Sequence, residues 1–210
     1  MSLFTDLDGI GGRMKRTRSR NKNKLRRNWN RAFGFCVFIV AICIAGCAPS
    51  QPDLRALDRR IDVGRFMGDW FVVAFIPIDF PLFSEANAHD AVESYRLNEQ
   101  GEIDISYSFR DGGFDAEPTV LTQRGWIEDP ERPAEWRVQV IWPFASAYLI
   151  AWVDEQYGRA IVGVPSRSHV WLLSREAHLT EFEFDSLLGR VSDMGYERTA
   201  IQRVPHRLGP

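Results

Sequence analysis

The sequence predicts an all-β fold: eight antiparallel strands in an up-and-down barrel closed on itself, followed by one C-terminal α-helix. Three observations lead there. From Asp69 onward, short runs rich in β-branched and aromatic residues recur every ten to fifteen residues with turn chemistry between them. Several of these runs alternate apolar and polar residues, as a half-buried strand must. Helical periodicity is confined to a stretch near the end of the chain.

Ahead of the barrel lies a leader. Arg13 to Arg31 holds ten Lys or Arg and no acid, and Ala32 to Gly46 is fifteen residues without a charge. These are the n-region and h-region of an export signal, and Ile44 Ala45 Gly46 Cys47 resembles the lipobox of bacterial lipoproteins, whose cysteine is acylated after cleavage. A membrane-spanning helix is the rival reading, but fifteen residues at a rise of about 1.5 Å cover only about 22 Å of a hydrocarbon core roughly 30 Å thick. Residues 1–46 are therefore expected to be removed, leaving Cys47 as lipid anchor on a tether over 47–62. Met14, beside the basic run, is an alternative start, and Arg26 Arg27 with Trp29 faintly resembles a twin-arginine signal.

The barrel, expected over 63–204, takes its strands from Asp69 to Ile76, Asp90 to Leu97, Glu102 to Phe109, Val120 to Glu128, Glu135 to Trp142, Ala147 to Asp154, Arg159 to Val164 and His169 to Arg175. Ile103, Ile105, Tyr107 and Phe109 face one way while Asp104, Ser106, Ser108 and Arg110 face the other. Trp136, Val138, Val140 and Trp142 share a face in the fifth run. Short turns such as Asn98 to Gly101 and Gln156 to Gly158 make neighbours antiparallel, and closure removes both sheet edges. The helix is expected at about 180–194: Thr180 and Glu183 form a capping box, Phe184, Leu187, Leu188, Val191 and Met194 an apolar stripe, and Gly195 the stop. Thr199 to Val204 is read as a short ninth strand and 205–210 as a tail.

Charge and cysteine content exclude several functions. Ten of the 26 basic and two of the 28 acidic residues precede Cys47, leaving 16 basic against 26 acidic residues and a formal charge of −10. All three lysines, Lys15, Lys22 and Lys24, belong to the leader. So acidic a chain repels phosphate backbones, which excludes nucleic acid as partner. Cys36 and Cys43 leave with the leader, so no internal disulfide forms. The 164 residues from Cys47 onward suffice for one core without one.

Gly68 Asp69 Trp70 at the start of the first strand, preceded by Val63 to Met67, resembles the first conserved motif of the lipocalins. Trp171 Leu172 Leu173 Ser174 Arg175 on the eighth strand resembles the third, whose arginine packs over the first-motif tryptophan; Asp154 to Tyr157 matches the second only loosely. With the late helix and the Trp142 Pro143 Phe144 turn, the likeness extends to the bacterial outer-membrane lipocalins. It implies an acylated protein on the inner leaflet of the outer membrane, facing the periplasm, since Ala48 rather than aspartate follows the cysteine. Gly68, Trp70 and Arg175 are then structural: an arginine cation can lie on an indole face while donating to nearby carbonyls.

Alternation and resemblance together select an interior of Val72, Ala74, Tyr95, Ile105, Tyr107, Val138, Val140, Trp142, Leu149, Ala151, Trp171 and Leu173, an aromatic cup for an acyl chain. Small residues, Ala74, Ala151 and Gly125, would leave it volume. Glu93 shares a face with Tyr95; it either points inward, where burial makes a carboxyl hold its proton, or stands in water near the rim, the commoner fate of a glutamate. Connections after the first, third, fifth and seventh strands gather at the mouth. Pro77 to His89, with Ile78, Phe80, Leu82 and Phe83, and Trp142 Pro143 Phe144 make an apolar rim suited to a lid, a ligand gate or a membrane-dipping edge, or folded inward to finish the core.

His89, His169, His178 and His206 are scattered without metal-ligand spacing, there is no Gly-rich phosphate loop, and no catalytic constellation is evident, so neither enzyme, metal nor cofactor is expected. Two functions remain: a carrier of a fatty acid or lysophospholipid, serving lipid storage, transfer or membrane maintenance, or a scaffold with a filled barrel whose rim docks a membrane protein. A homodimer is compatible with either.

Overall fold

The computed structural model describes residues 52–80 and 83–207. Cys47 and the leader lie outside the described residues, as do Leu82 and, within strands, the side chains of Phe80, Val140 and Ile141. Helix α1 (Val63–Phe66) leads into strand β1 (Gly68–Ile76). A small hairpin, β2 (Asp79–Phe80) with β3 (Phe83–Ser84), interrupts the long loop that follows. Strands β4 (Ala88–Leu97), β5 (Ile103–Asp111), β6 (Pro118–Ile127), β7 (Glu135–Ile141), β8 (Phe144–Val153), β9 (Arg159–Gly163) and β10 (Val170–Ser174) then succeed one another, each antiparallel to the last. β10 returns to β1, with Phe71 opposite Ser174 and Ile76 opposite Val170, and the eight-stranded barrel closes.

β1 does double duty. Its first half, Gly68 to Phe71, pairs with β4, while Ala74 and Phe75 pair with β11 (Gln202–Arg203), the expected ninth strand in shortened form behind a single 3₁₀ turn, Arg198–Ala200. The tail then bridges the gap between β1 and the start of β4: Val204 N–H donates to Val73 O, and Asp90 N–H to Pro205 O.

Helix α2 (Glu181–Asp193) has the expected capping box, with Thr180 as N-cap and Glu183 reaching back to its amide. It ends where Gly195 adopts φ +89°, letting Gly195 and Tyr196 N–H return to the carbonyls of Ser192 and Val191. Phe184, Leu187 and Val191 lie against the outside of the barrel, on Val73, Ala74, Leu149, Ala151, Ile161, Val170 and Leu172. β1, β8, β9 and β10 are therefore buried on both faces, whereas β5 alternates buried inside and wetter outside.

The segment read as a free tether is packed over its described part, 52–62. Leu54 is buried in the helix-side cluster and Ile61 in the barrel cluster; Leu54 N–H donates to Pro165 O and Leu57 N–H to Ile150 O. The physical reason is simple: Leu54, Leu57 and Ile61 carry apolar surface that a solvated linker would leave in water.

Candidate functional site

The closed end is built first from backbone. Gly68 at φ +105° lets the chain turn from α1 into β1, and a Cβ there would stand 2.9 Å from Arg175 Nη1. The space that glycine leaves is filled by the Arg175 guanidinium. It lies 3.7 Å over the Trp70 ring and donates to the carbonyls of Asp69 (2.6 Å), Met67 (2.7 Å) and Phe66 (3.1 Å). Trp70, fully buried, gives its own N–H to Phe66 O at 2.8 Å. The loosely matched second motif also contributes: Tyr157 OH accepts from Asp62 N–H at 2.7 Å, and Asp154 accepts from Gly158 N–H at 2.7 Å.

Above this floor rises a column of aromatic rings. Phe66 contacts Trp70, Tyr95 and Trp136 at centroid distances of 5.1, 5.4 and 5.4 Å; Trp136 stacks on Tyr148 at 5.9 Å, and Tyr148 meets Trp171 at 6.0 Å. Nearer the mouth, Tyr107 stacks on Phe109 at 5.2 Å, and Phe83 of the hairpin seats edge-on against Phe109 at 6.0 Å. The rim loop thus folds partly inward on the β5 side.

Two carboxylates are set into this apolar column. Glu93, 5% exposed, accepts from Tyr148 OH at 3.0 Å, and Tyr148 shares a further hydrogen bond with Tyr95 OH. While Glu93 is ionised, Tyr148 spends its one hydrogen on it and must accept from Tyr95, so the three form a directed chain. Burial pushes the Glu93 carboxyl up to about 7, against the lowering effect of the Tyr95 and Tyr148 hydroxyls beside it. Glu85, 3% exposed, takes the Ile78 N–H at 3.0 Å; burial raises it too to about 7, and repulsion from Glu93 adds to the rise. Tyr107 OH is buried with no hydrogen-bond partner among the described residues, its ionisation suppressed first by burial and then by both carboxylates.

Two walls record an opening. Along the inner face of β6, Thr119 is exposed, Leu121 and Gln123 are half-buried and Gly125 is buried. On β8, Phe144 and Ser146 are exposed while Tyr148 and Ile150, deeper on the same face, are buried. The interior is open to solvent at the β6–β8 side of the mouth and dry at the floor. A separate cleft of about 350 Å³ lies outside the barrel, between Phe184 of α2 and the C-terminal segment at Arg203 and His206. Among the described residues no group of three or more His, Cys, Asp or Glu is placed to hold a metal ion.

A family model described as a lipocalin-like domain matches residues 61–206. The chain belongs to the lipocalins. It is similar to the temperature-induced lipocalin-1 of Arabidopsis thaliana, 28% identical over 166 residues that cover 72% of this chain and 83% of the relative. It is also similar to the outer membrane lipoprotein Blc of Citrobacter freundii, 23% identical over 163 residues, covering 76% and 86%. Among solved structures, apocrustacyanin C2 shares the fold at a TM-score of 0.55 and 11% identity, over 74% of this chain and 90% of the other.

Of the interior positions expected from the sequence, this lipocalin brings together Val72, Tyr95, Ile105, Tyr107, Val138, Trp171 and Leu173, with Glu93 among them rather than at a wet rim. Ala74 lies outside, under α2, because a bulge between Val72 and Ala74 adds a residue and reverses the parity of β1. Leu149 and Ala151 are outside as well; Tyr148 and Ile150 take the interior face, and a second bulge follows between Ile150 and Trp152. Trp142 is not interior either: it sits in the β7–β8 turn, 81% exposed, since pairing on that face stops before it. Val140 falls among the side chains outside the described set.

The volume argument from small residues also fails. Ala74 and Ala151 face the helix, and a Cβ on Gly125 would touch Ile105 at 3.0 Å. Sequence reasoning missed Glu85 and Tyr148. Tyr148 was legible as the alternate of Leu149, while Glu85, in a loop, carried no periodic signal.

Proposed function

We propose that this lipocalin binds a small hydrophobic ligand with one long apolar chain, a fatty acid or lysophospholipid, and carries it in the cell envelope. Acylated Cys47 would hold it on the periplasmic side of the outer membrane, where it would serve lipid storage, transfer or membrane maintenance. It would act as a binding protein and not an enzyme. The observation that carries the reading is Tyr107 OH, buried and unpartnered in an aromatic cup whose β6 and β8 walls are open at the top. A buried hydroxyl without a partner costs about 1–3 kcal/mol, which a trapped water, or an ester oxygen just below a lysophospholipid head, recovers. Membership of the family and the likeness to outer membrane lipoproteins named Blc support the ligand class and the location.

Orientation follows from charge. Among the described residues no Lys, Arg or His is buried, whereas Glu85 and Glu93 are, and these carboxyls repel an anion as they ionise. A fatty acid or lysophospholipid therefore enters tail first and leaves its charged head at the mouth. Native mass spectrometry of the chain from Ala48 onward, purified without detergent, tests the reading. A stoichiometric lipid in the organic extract supports it. A barrel that is empty, and whose tryptophan emission does not respond to palmitate or lysophosphatidylcholine, refutes it. That result favours the filled scaffold, for which the Ile105 side chain packed on Gly125 speaks.

A further inference from the structure

The mouth carries exposed aromatic side chains. Trp142, Pro143 and Phe144 form the whole β7–β8 turn and its lip; Trp142 is 81% and Phe144 75% exposed. Of the five large apolar side chains most exposed among the described residues, Val120, Trp142 and Phe144 stand at the mouth end, while Leu97 and Phe182 are isolated elsewhere. Charged groups are exposed at both ends, Arg60, Asp129, Glu131 and Glu155 at the closed end and Asp111, Asp115 and Glu117 around the β5–β6 connection at the mouth, but the pair of exposed aromatic rings is at the mouth alone among the described residues.

The N-terminal segment reaches the barrel at that same end. Pro52 O accepts from Arg167 Nη1 at 2.6 Å and Leu54 N–H donates to Pro165 O at 2.9 Å; both partners belong to the β9–β10 connection, which shares the mouth with the β7–β8 turn. From Pro52 only five residues lead back to Cys47, a reach of at most about 18 Å when fully extended. A lipid on Cys47 would lie within that reach of the mouth-side contact of Pro52.

We infer that the barrel sits mouth-down on a phospholipid bilayer, with Trp142 and Phe144 inserted at the level of the headgroups and upper acyl chains, so that ligand passes between bilayer and cup without crossing water. The inference rests on the acylation of Cys47 proposed above. The occupant of this apolar edge is a lipid surface and not a protein, because the anchor already confines the edge to one. An indole with an apolar body and one N–H suits that boundary. The formal charge of −10 from Cys47 onward makes a zwitterionic surface the suitable target.

The test uses the full-length protein, purified from membranes and reconstituted into phosphatidylcholine vesicles with or without bromines on the acyl chains. Wild type and Trp142→Phe are compared, first for flotation with the vesicles and then for tryptophan quenching. Cofloating protein whose emission is quenched in wild type and distinctly less in Trp142→Phe supports the inference. Equal quenching in the two, as brominated lipid taken into the cup would give, or none in either, overturns the orientation while leaving the anchor intact. Failure to float removes the anchor and the inference with it. Trp142 is 81% exposed and its indole makes no ring contact or hydrogen bond among the described residues, so the variant folds.

Discussion

Raising the pH from about 5.5 to about 8 should weaken the fold, and Glu93→Gln should remove at least half of that loss. Each interior carboxyl is raised from 4.5 to about 7, Glu93 by burial and Glu85 by burial and then by repulsion from Glu93. The folded state therefore holds protons that the unfolded chain releases, and stability falls as pH rises through the interval between those two values. At 1.36 kcal/mol for each tenfold change, each group loses about 2 kcal/mol between about pH 5.5 and about pH 8, or about 4 kcal/mol for the pair. With an m value near 2 kcal/mol per molar, the urea midpoint drops by about 2 M. His206 works in the opposite direction, because burial lowers it and its stabilising share grows with pH. Comparison of wild type with Glu93→Gln cancels that contribution. The amide cannot ionise, and Glu85 also loses a repelling neighbour, so the variant's pH dependence shrinks by more than one group's share. Urea unfolding of the chain from Ala48 onward at the two pH values decides it. Equal pH dependence in wild type and variant would show that Glu93 is not buried as an acid, and the reasoning would fall.

Other perturbations separate the floor from the cup. Arg175→Ala removes the side-chain donor to the carbonyls of Asp69 and Met67 and one of the two donors to Phe66 O, and uncovers Trp70, at a cost of about 3 kcal/mol in urea unfolding; Arg175→Lys recovers less than half because a point charge cannot reach all of these carbonyls. Gly68→Ala combines a φ of +105° with a 2.9 Å approach to Arg175 Nη1 and lowers stability by about 2 kcal/mol or more; a thermal midpoint equal to wild type would contradict it. Tyr107→Phe removes a hydroxyl with no partner among the described residues, so the empty barrel gains up to about 1 kcal/mol, while affinity for a lysophospholipid, whose ester and hydroxyl oxygens lie just below its charged head, falls roughly tenfold. Denaturation and ligand titration on the same sample must move in opposite directions.

The sequence located elements better than faces, and the reason lies in the helix. Where only the inner face is buried, as on β5, polar residues mark the outside and Ile105 and Tyr107 are placed correctly by alternation alone. Where α2 covers the outside, Ala160 to Gly163 and Val170 to Leu173 are apolar throughout, and alternation carries no information about which side is which. The misplaced Ala74, Leu149 and Ala151 all lie in this covered region, next to bulges that no composition rule announces. The capping box of Thr180 and Glu183 and the Gly68, Trp70 and Arg175 set were legible because each is a local device with one geometric solution. Glu85 was not, since its burial depends on a hairpin folding over the mouth.

The same comparison identifies what in the barrel is not explained by folding. Floor, helix and covered strands agree at every level: glycine where φ is positive, arginine where carbonyls gather, apolar residues where two layers meet. The middle of the cup breaks that agreement, with two carboxylates and an unpaired phenol in an aromatic column, at a cost of about 3 kcal/mol for each ionised carboxyl at high pH. A filled scaffold has no use for them, since apolar residues of like size would hold the strands more firmly. A carrier does, because carboxyls that ionise as pH rises repel an anionic head and weaken the grip on the tail. The cost to stability and the orientation of the ligand then have one cause, and Glu93→Gln should change both together: a firmer fold at about pH 8, and a fatty acid whose carboxylate is kept at the mouth by Glu85 alone and so less strongly.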